Sequence, residues 1–347
     1  MNKNNIFFQH GDRVLIINDN IFNTTLVKRK SIDLIVTSPP YNVDINYNSH
    51  NDKISYEQYI KFSKKWMSRC YSWLKDDGKF CLNIPLDKNK GGQQSVGADL
   101  TKIATEDVGF KYYTTIVWNE GNISRRTAWG SWKSASAPYV ISPVELIVVF
   151  YKKNWEKTSG TQESDIEKGE YLEWINGFWT FNGEKKKKIG HPAPFPVMLP
   201  QRCMKLFSFK GDTVLDLFLG SGTTLVASYQ NDRNGIGIEV DPYYCQIALN
   251  RLKKETDIDS GIVKKFDMPL DRKTRLKKYF ITQSDLILQH FKDYPAELMT
   301  YNDIREWIKD EVTKGSFEPI KAPEKIMRSL VKNKQIRRLQ SGQFVYR

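Results

Sequence analysis

The chain has 347 residues, 40% apolar and 13% aromatic, enough for one large domain with attachments or one domain plus a smaller second. Lys and Arg number 53 against 40 Asp and Glu, a formal charge of +13 that favours a polyanionic partner. No stretch approaches the roughly 18 consecutive apolar residues of a membrane span, and the opening "MNKNNIFFQHGD" lacks the basic region and long apolar run of a secretory signal. A soluble, cytoplasmic protein is expected.

In chain order, "RVLIIND" and "SIDLIVTS" read as strands, and "SYEQYIKFSKKWMSRCYSWLKDDG" as a helix in which Tyr59, Phe62, Trp66, Cys70 and Trp73 recur at helical spacing and Gly78 marks the stop. "KFCLNIP", "KYYTTIVWN" and "VELIVVFYKK" follow as strands, each a short apolar or β-branched run. From about Asn154 to Gly190 the periodicity weakens, and "GEKKKKIG" supplies four consecutive lysines; this is read as an irregular insertion. Next come a loop and helix in "HPAPFPVMLPQRCMKLFS", then strand "DTVLDLF", loop "LGSGTT", helix "LVASYQND", strand "GIGIEV" and helix "PYYCQIALNRLKKE".

Strands separated by helices imply an α/β fold with a doubly wound, mainly parallel sheet. The expected division is a domain over 1–255, with 154–190 inserted, and a small basic subdomain over 256–347, whose charge and helix spacing fit a winged helix-turn-helix. A helical appendage or a homodimer contact is the alternative for that last segment. Cys70, Cys81, Cys203 and Cys245 have no short Cys-x-x-Cys spacing, so neither zinc site nor disulfide framework is suggested, and no metal is expected.

Two stretches carry chemistry. In "VLDLFLGSGTT" a buried strand ends at Gly220 and Gly222 and opens onto a helix, where open α/β sheets bind ligands. The Gly-Lys-Ser/Thr ending of a phosphate-cradling loop is missing, since Thr223 and Thr224 follow Gly222. Asp216 stands at the strand end, and Glu239 closes the next strand at about the interval from which a carboxylate reaches a ribose hydroxyl. Two carboxylates repel a polyphosphate and suit a cationic ligand bearing a ribose, such as S-adenosylmethionine.

The other stretch is "IDLIVTSPPYN". Proline fixes its own φ and biases the preceding residue to extended geometry, so Ser38-Pro39-Pro40-Tyr41 is a rigid arm lacking two backbone donors. A flat amino-bearing ring has acceptors there in the Ser38 hydroxyl and the Pro39 carbonyl, with Tyr41 to stack on.

Together "TSPPYN", "DLFLGSGTT" and "HPAPFP" resemble the S-adenosylmethionine-dependent amino-methylating DNA methyltransferases, in the motif order of the family's beta group, over roughly residues 6 to 255. The resemblance implies a Rossmann-like methyltransferase domain with catalysis at Ser38, Pro39, Pro40 and Tyr41. It implies cofactor contacts at Asp12, Thr37, Pro194, Phe195, Asp216, Leu217, Phe218, Gly220, Ser221, Gly222 and Thr223, with Glu239 on the ribose. His191 reads as a loop anchor rather than a general base. Double-stranded DNA is the implied substrate, its target base turned out of the stack, and a cognate restriction endonuclease the functional partner. Ser before the two prolines looks more like cytosine N4 than adenine N6 specificity. Arg125 and Arg126 in "SRRTAWGSWKS" suit guanine edges, and Lys185, Lys186, Lys187 and Lys188 suit phosphates. The rival readings are an RNA or protein-glutamine methyltransferase reusing the arm, and a non-catalytic DNA-binding protein.

Overall fold

The computed structural model describes residues 5–41, 55–87, 94–121, 131–138, 140, 144–158, 160–184 and 195–258, and beyond them 262–263, 300, 302–304, 327–328, 330–331, 336–339 and 343–346. The contacts divide the chain into two units, residues 1–45 with 63–266, and residues 46–62 with 267–347.

The first unit is built on a sheet of ten strands among the described residues. Its centre is parallel: β2 (Val14–Asn18), β9 (Asn234–Glu239), β8 (Thr213–Asp216), β3 (Ile32–Thr37) and β4 (Leu74–Pro85) lie side by side in that order. All six residues of β3 are buried, as a central strand covered on both faces requires. Antiparallel strands extend both sides: β1 (Ile6–His10) and β10 (Ile262–Val263) beyond β2, and β6 (Val144–Tyr151) with β5 (Lys111–Asn119) beyond β4. The strand β7 (Phe178–Thr180) pairs parallel to β5 at that margin.

Alternation along the strands fills two layers. Leu34, Val36, Cys81 and Val214 share one core with Leu199, Cys203 and Met204 of α4 (Met198–Phe207) and with Trp174 and Trp179. Phe80, next to Cys81, takes the opposite direction and meets Trp66 of α1 (Tyr56–Trp73) edge to face at 6.1 Å. A further core joins Phe7, Val14 and Ile16 to α5 (Thr223–Gln230) and α6 (Pro242–Glu255). Asp241 caps α6 by accepting from the Tyr243 amide at 2.9 Å, Pro242 begins it, and Lys253 and Lys254 complement its last turn. The four cysteines are free and buried.

Three differences from the sequence reading have physical causes. The helix α1 ends at Trp73 rather than Gly78, because Leu74 already pairs with Ile32 and the chain bulges before Lys79 pairs with Leu34. Gly78 is needed there for a close approach: a Cβ on it would lie 2.6 Å from Leu74 Cγ. The strand β1, not anticipated, hydrogen-bonds to β2 across the turn at Gly11. The segment after Asn154, read as irregular, contains α3 (Lys168–Trp174) and β7, and it is tied inward by ion pairs of Arg233 with Asp165 at 2.6 Å and Lys205 with Glu170 at 2.9 Å.

In the second unit β11 (Ile336–Arg338) and β12 (Phe344–Tyr346) form an antiparallel pair, and Ile304, Met327 and Leu330 are buried. Most of the segment read as a winged helix-turn-helix lies outside the described residues.

Candidate active site

The five central strands run parallel, so Asn18, Glu239, Asp216, Thr37 and Pro85 all end at one edge of the sheet. Between β8 and β3 the chain reverses its direction of winding. The connection from β8 leads to β9 on one side and that from β3 leads to β4 on the other, which makes this the switch point where such sheets open a crevice.

Asp216 joins the two motifs across that point. Its carboxylate accepts from the Thr37 hydroxyl and the Thr224 hydroxyl, each at 2.7 Å, and from the Phe218 amide at 3.1 Å. Burial raises its pKa above the ordinary carboxylate range, against those three bonds. The turn that follows is tight: the Leu219 amide donates to Ile238 at 3.0 Å and the Gly222 amide to Leu219 at 2.9 Å, with Gly220 and Gly222 at φ of 52° and 81°. Gly222 also serves helix packing, since a Cβ on it would sit 2.8 Å from the Cβ of Ala248. Leu217 is buried, and Phe218 meets Trp66 edge to face at 5.6 Å.

At the end of β9 the Glu239 carboxylate accepts from the Gly220 amide and the Asp241 amide, each at 2.9 Å. Burial pushes its pKa up to about 7, opposed chiefly by the Asp241 amide. Two donors do not exhaust the lone pairs of a carboxylate, so the group retains acceptor capacity for a diol. Ser221 and Thr223 are buried next to Arg251 of α6, whose Nη1 donates to Thr223 Oγ1 at 2.7 Å and Ser221 Oγ at 3.4 Å.

The arm Ser38 to Tyr41 leaves β3 directly after Thr37. Tyr41 is buried, and its hydroxyl lies in hydrogen-bonding contact with Ser38 Oγ, with Asn83 Nδ2 at 3.1 Å and with Glu145 Oε2 at 3.2 Å. Asn83 Nδ2 also donates to Glu145 Oε2 at 2.5 Å.

The structure therefore brings together Thr37, the arm, the glycine turn and Glu239. Asp12 is not among them. It is exposed in the turn before β2, at the Val14 end, about 13 Å of strand rise from the end where Asn18 pairs with Glu239. Asn18 and Asp19 occupy the place expected of Asp12: Asn18 Nδ2 donates to the Glu239 and Val240 carbonyls at 3.0 Å, and the Asp19 amide to the Glu239 carbonyl at 3.1 Å. The signal available was the strand itself, since a parallel strand presents its carboxyl end, not its start, to the ligand. Phe195 packs half-buried against the core that holds α4. Pro194, His191, Arg125, Arg126 and Lys185 to Lys188 lie outside the described residues.

Fold and site define a Rossmann-like methyltransferase. The sequence signature of the DNA methylase family matches residues 32–250. The Type II methyltransferase M.MjaVI of Methanocaldococcus jannaschii is 62% identical over 176 residues, 51% of this chain and 89% of that protein. M.HpaI of Haemophilus parainfluenzae is 25% identical over 301 residues, 83% of this chain and 90% of that one. In fold, TTHA0409 of Thermus thermophilus matches with a TM-score of 0.57 at 24% identity, over 72% of this chain and 98% of its own. The cytosine-N4-specific PvuII DNA methyltransferase matches with a TM-score of 0.55 at 20% identity, over 77% and 91%.

The chain belongs to the DNA methylase family, as an amino-DNA methyltransferase of the restriction-modification type whose cofactor is S-adenosylmethionine. The residues present fit that cofactor. Glu239 offers a buried carboxylate with acceptor capacity at the β9 end, and Asp216 adds a second acidic group beside the turn, a donor set whose chemistry suits a cationic ligand bearing a ribose.

Proposed function

We propose that the protein methylates cytosine N4 within a short duplex DNA sequence, protecting that sequence from a cognate restriction endonuclease. The observation that carries this reading is the 2.7 Å hydrogen bond from Thr37 to Asp216, which puts the Ser38 arm and the glycine turn at adjacent strand ends. A serine ahead of the two prolines is the feature that favours cytosine over adenine.

When bound, the cofactor would supply an electrophilic methyl group, its sulfur keeping the electron pair of the bond given up. The chain does the rest by position. Glu239 holds the ribose, and the turn from Phe218 to Thr223 lines the methionine end. The lone pair of an exocyclic amine is delocalised into its ring; Ser38 Oγ and the Pro39 carbonyl accept its protons and favour a more tetrahedral, nucleophilic nitrogen. Turning the base out of the duplex costs a few kcal/mol of stacking and pairing, part of which the Tyr41 ring restores as a stacking face. Arg125 and Arg126 take the role of base readers, and Lys185 to Lys188 that of phosphate contacts, on their residue chemistry.

The test is to incubate the protein with methyl-labelled S-adenosylmethionine and unmodified duplex DNA, digest to nucleosides and identify the labelled one. Label in N4-methylcytosine is expected. Label in N6-methyladenine overturns the base assignment and keeps the enzyme class. Label that follows a competing RNA instead of DNA overturns the substrate.

A further inference from the structure

Methylating an amine leaves a proton to dispose of, and the hydrogen bonds around Tyr41 have a direction that bears on it. Antiparallel pairing of β4 with β6, in which Pro85 faces Glu145, sets Asn83 and Glu145 beside the arm. The Asn83 amide is oriented by its 2.5 Å bond to Glu145 Oε2, because the flipped amide would press its oxygen against a carboxylate. The Nδ2 group only donates, so at 3.1 Å the Tyr41 oxygen accepts from it. A phenol has one proton, and its hydroxyl has two acceptors in reach, Glu145 Oε2 at 3.2 Å and the Asn83 carbonyl at 3.4 Å; the ionised carboxylate is the nearer and the stronger acceptor, so the Tyr41 proton lies toward Glu145. Ser38 is then the donor in its contact with Tyr41, and Ser38 Oγ keeps acceptor capacity of its own.

From this ordering we infer that Ser38, Tyr41 and Glu145 form a proton-exit relay for the methylated amine, with Asn83 setting its direction; the inference rests on the amine-methylation reading above. Forming the nitrogen–methyl bond leaves the base amine positively charged, with one excess proton. That proton passes to Ser38 Oγ as the Ser38 proton passes to the Tyr41 oxygen and the Tyr41 proton to Glu145. Each hydroxyl finishes as it began, and the carboxylate finishes as a carboxylic acid. Glu145 is half-buried, so it can return the proton to water. In the relay Tyr41 and Glu145 both act through Ser38, and Glu145, which does not touch the base, is a positioning residue. Asn83 is 2% exposed and its Oδ1 has no hydrogen-bond partner among the described residues, a cost that a purely structural asparagine has no reason to bear.

The test uses the full chain with Tyr41→Phe, Glu145→Gln and the double variant. Loss of a positioned proton acceptor lowers a rate by about 10²-fold or more, so single-turnover methylation is expected to fall by that order in each single variant, with the KM for S-adenosylmethionine and the affinity for DNA unchanged. The double variant should be no slower than the slower single one, since both cut one chain. Infrared difference spectra of the cofactor-free protein give an independent readout. The carboxylate band lost in Glu145→Gln should shift in Tyr41→Phe, because its hydrogen-bond donor is gone. Near wild-type turnover in Tyr41→Phe, multiplicative losses in the double variant, or an unshifted Glu145 band overturns the relay. Absence of DNA methylation by the wild-type protein with an intact band shift overturns the underlying reading instead.

Discussion

Glu239 should make stability and cofactor affinity change with pH in opposite directions. Its carboxyl titrates from 4.5 when unperturbed to about 7 in the folded chain, chiefly because it is buried. The folded state therefore holds the proton more tightly, an advantage worth about 3 kcal/mol that is fully present below the unfolded pKa and is lost as pH rises through 7. Replacing Glu239 with Gln removes the titration. It also forfeits one backbone bond, because an amide nitrogen cannot accept from the Gly220 or Asp241 N–H, but that loss does not depend on pH. Urea unfolding of both proteins at pH 4.5 and pH 8 isolates the titrating part: the stability difference between wild type and Glu239→Gln should move by about 3 kcal/mol against the wild type on going to pH 8. Cofactor affinity should run the other way. A ribose diol is bound by the ionised form, so wild-type affinity should fall about a hundredfold from pH 8 to pH 5, while the weaker binding of Glu239→Gln stays flat. A stability difference that holds constant across this range would refute the buried-acid account, and pH-independent wild-type binding would refute the ribose contact.

Three further perturbations separate roles within the site. Ser38→Ala should nearly abolish methylation and leave calorimetric affinity for S-adenosylmethionine close to wild type, because Ser38 serves the base and not the cofactor. Asp216→Ala strands the Thr37 and Thr224 hydroxyls and the Phe218 amide; at about 1–3 kcal/mol for each unsatisfied buried group, unfolding should register a loss of several kcal/mol along with weaker cofactor binding. Gly222→Ala should cost about 1–3 kcal/mol through overpacking, because the new methyl meets Ala248 and the backbone holds φ at 81°. Ala248→Gly should recover part of that loss in the same melts.

Much of the fold was legible because its signals are local. The runs "KYYTTIVWN" and "PYYCQIALNRLKKE" coincide with β5 and α6, the first from its β-branched content. What was not legible depended on pairing between distant strands. Asn83 and Glu145 have no motif around them and meet Tyr41 only because β6 returns antiparallel along β4. Asp12 was misplaced for a related reason. The resemblance that gave Asp12 a cofactor contact carries no strand register, whereas the pairing of Val14 with Gly235 shows that residue to lie at the approach to β2. Trp174 and Trp179 sat in a stretch of weak periodicity, since a seven-residue helix and a three-residue strand are too short to show a period; their burial around Arg202, 5.0 and 5.3 Å from the two rings, is a tertiary effect.

The Thr37–Asp216 bond joins residues 179 positions apart, yet it requires little of the chain between them. It needs only that β3 and β8 be neighbours and parallel, with Leu34 beside Val214 and Ile35 beside Leu215. That register carries Thr37 and Asp216 to the same edge whichever strand comes first in sequence. A site built at a switch point is thus indifferent to motif order, and an arm that precedes its cofactor turn works as well as one that follows it. Outside the arm itself, the intervening positions are free to vary wherever they leave the β3–β8 register intact. They are not free at Asn83 and Glu145, which fall inside the same interval and reach Tyr41 through side-chain hydrogen bonds.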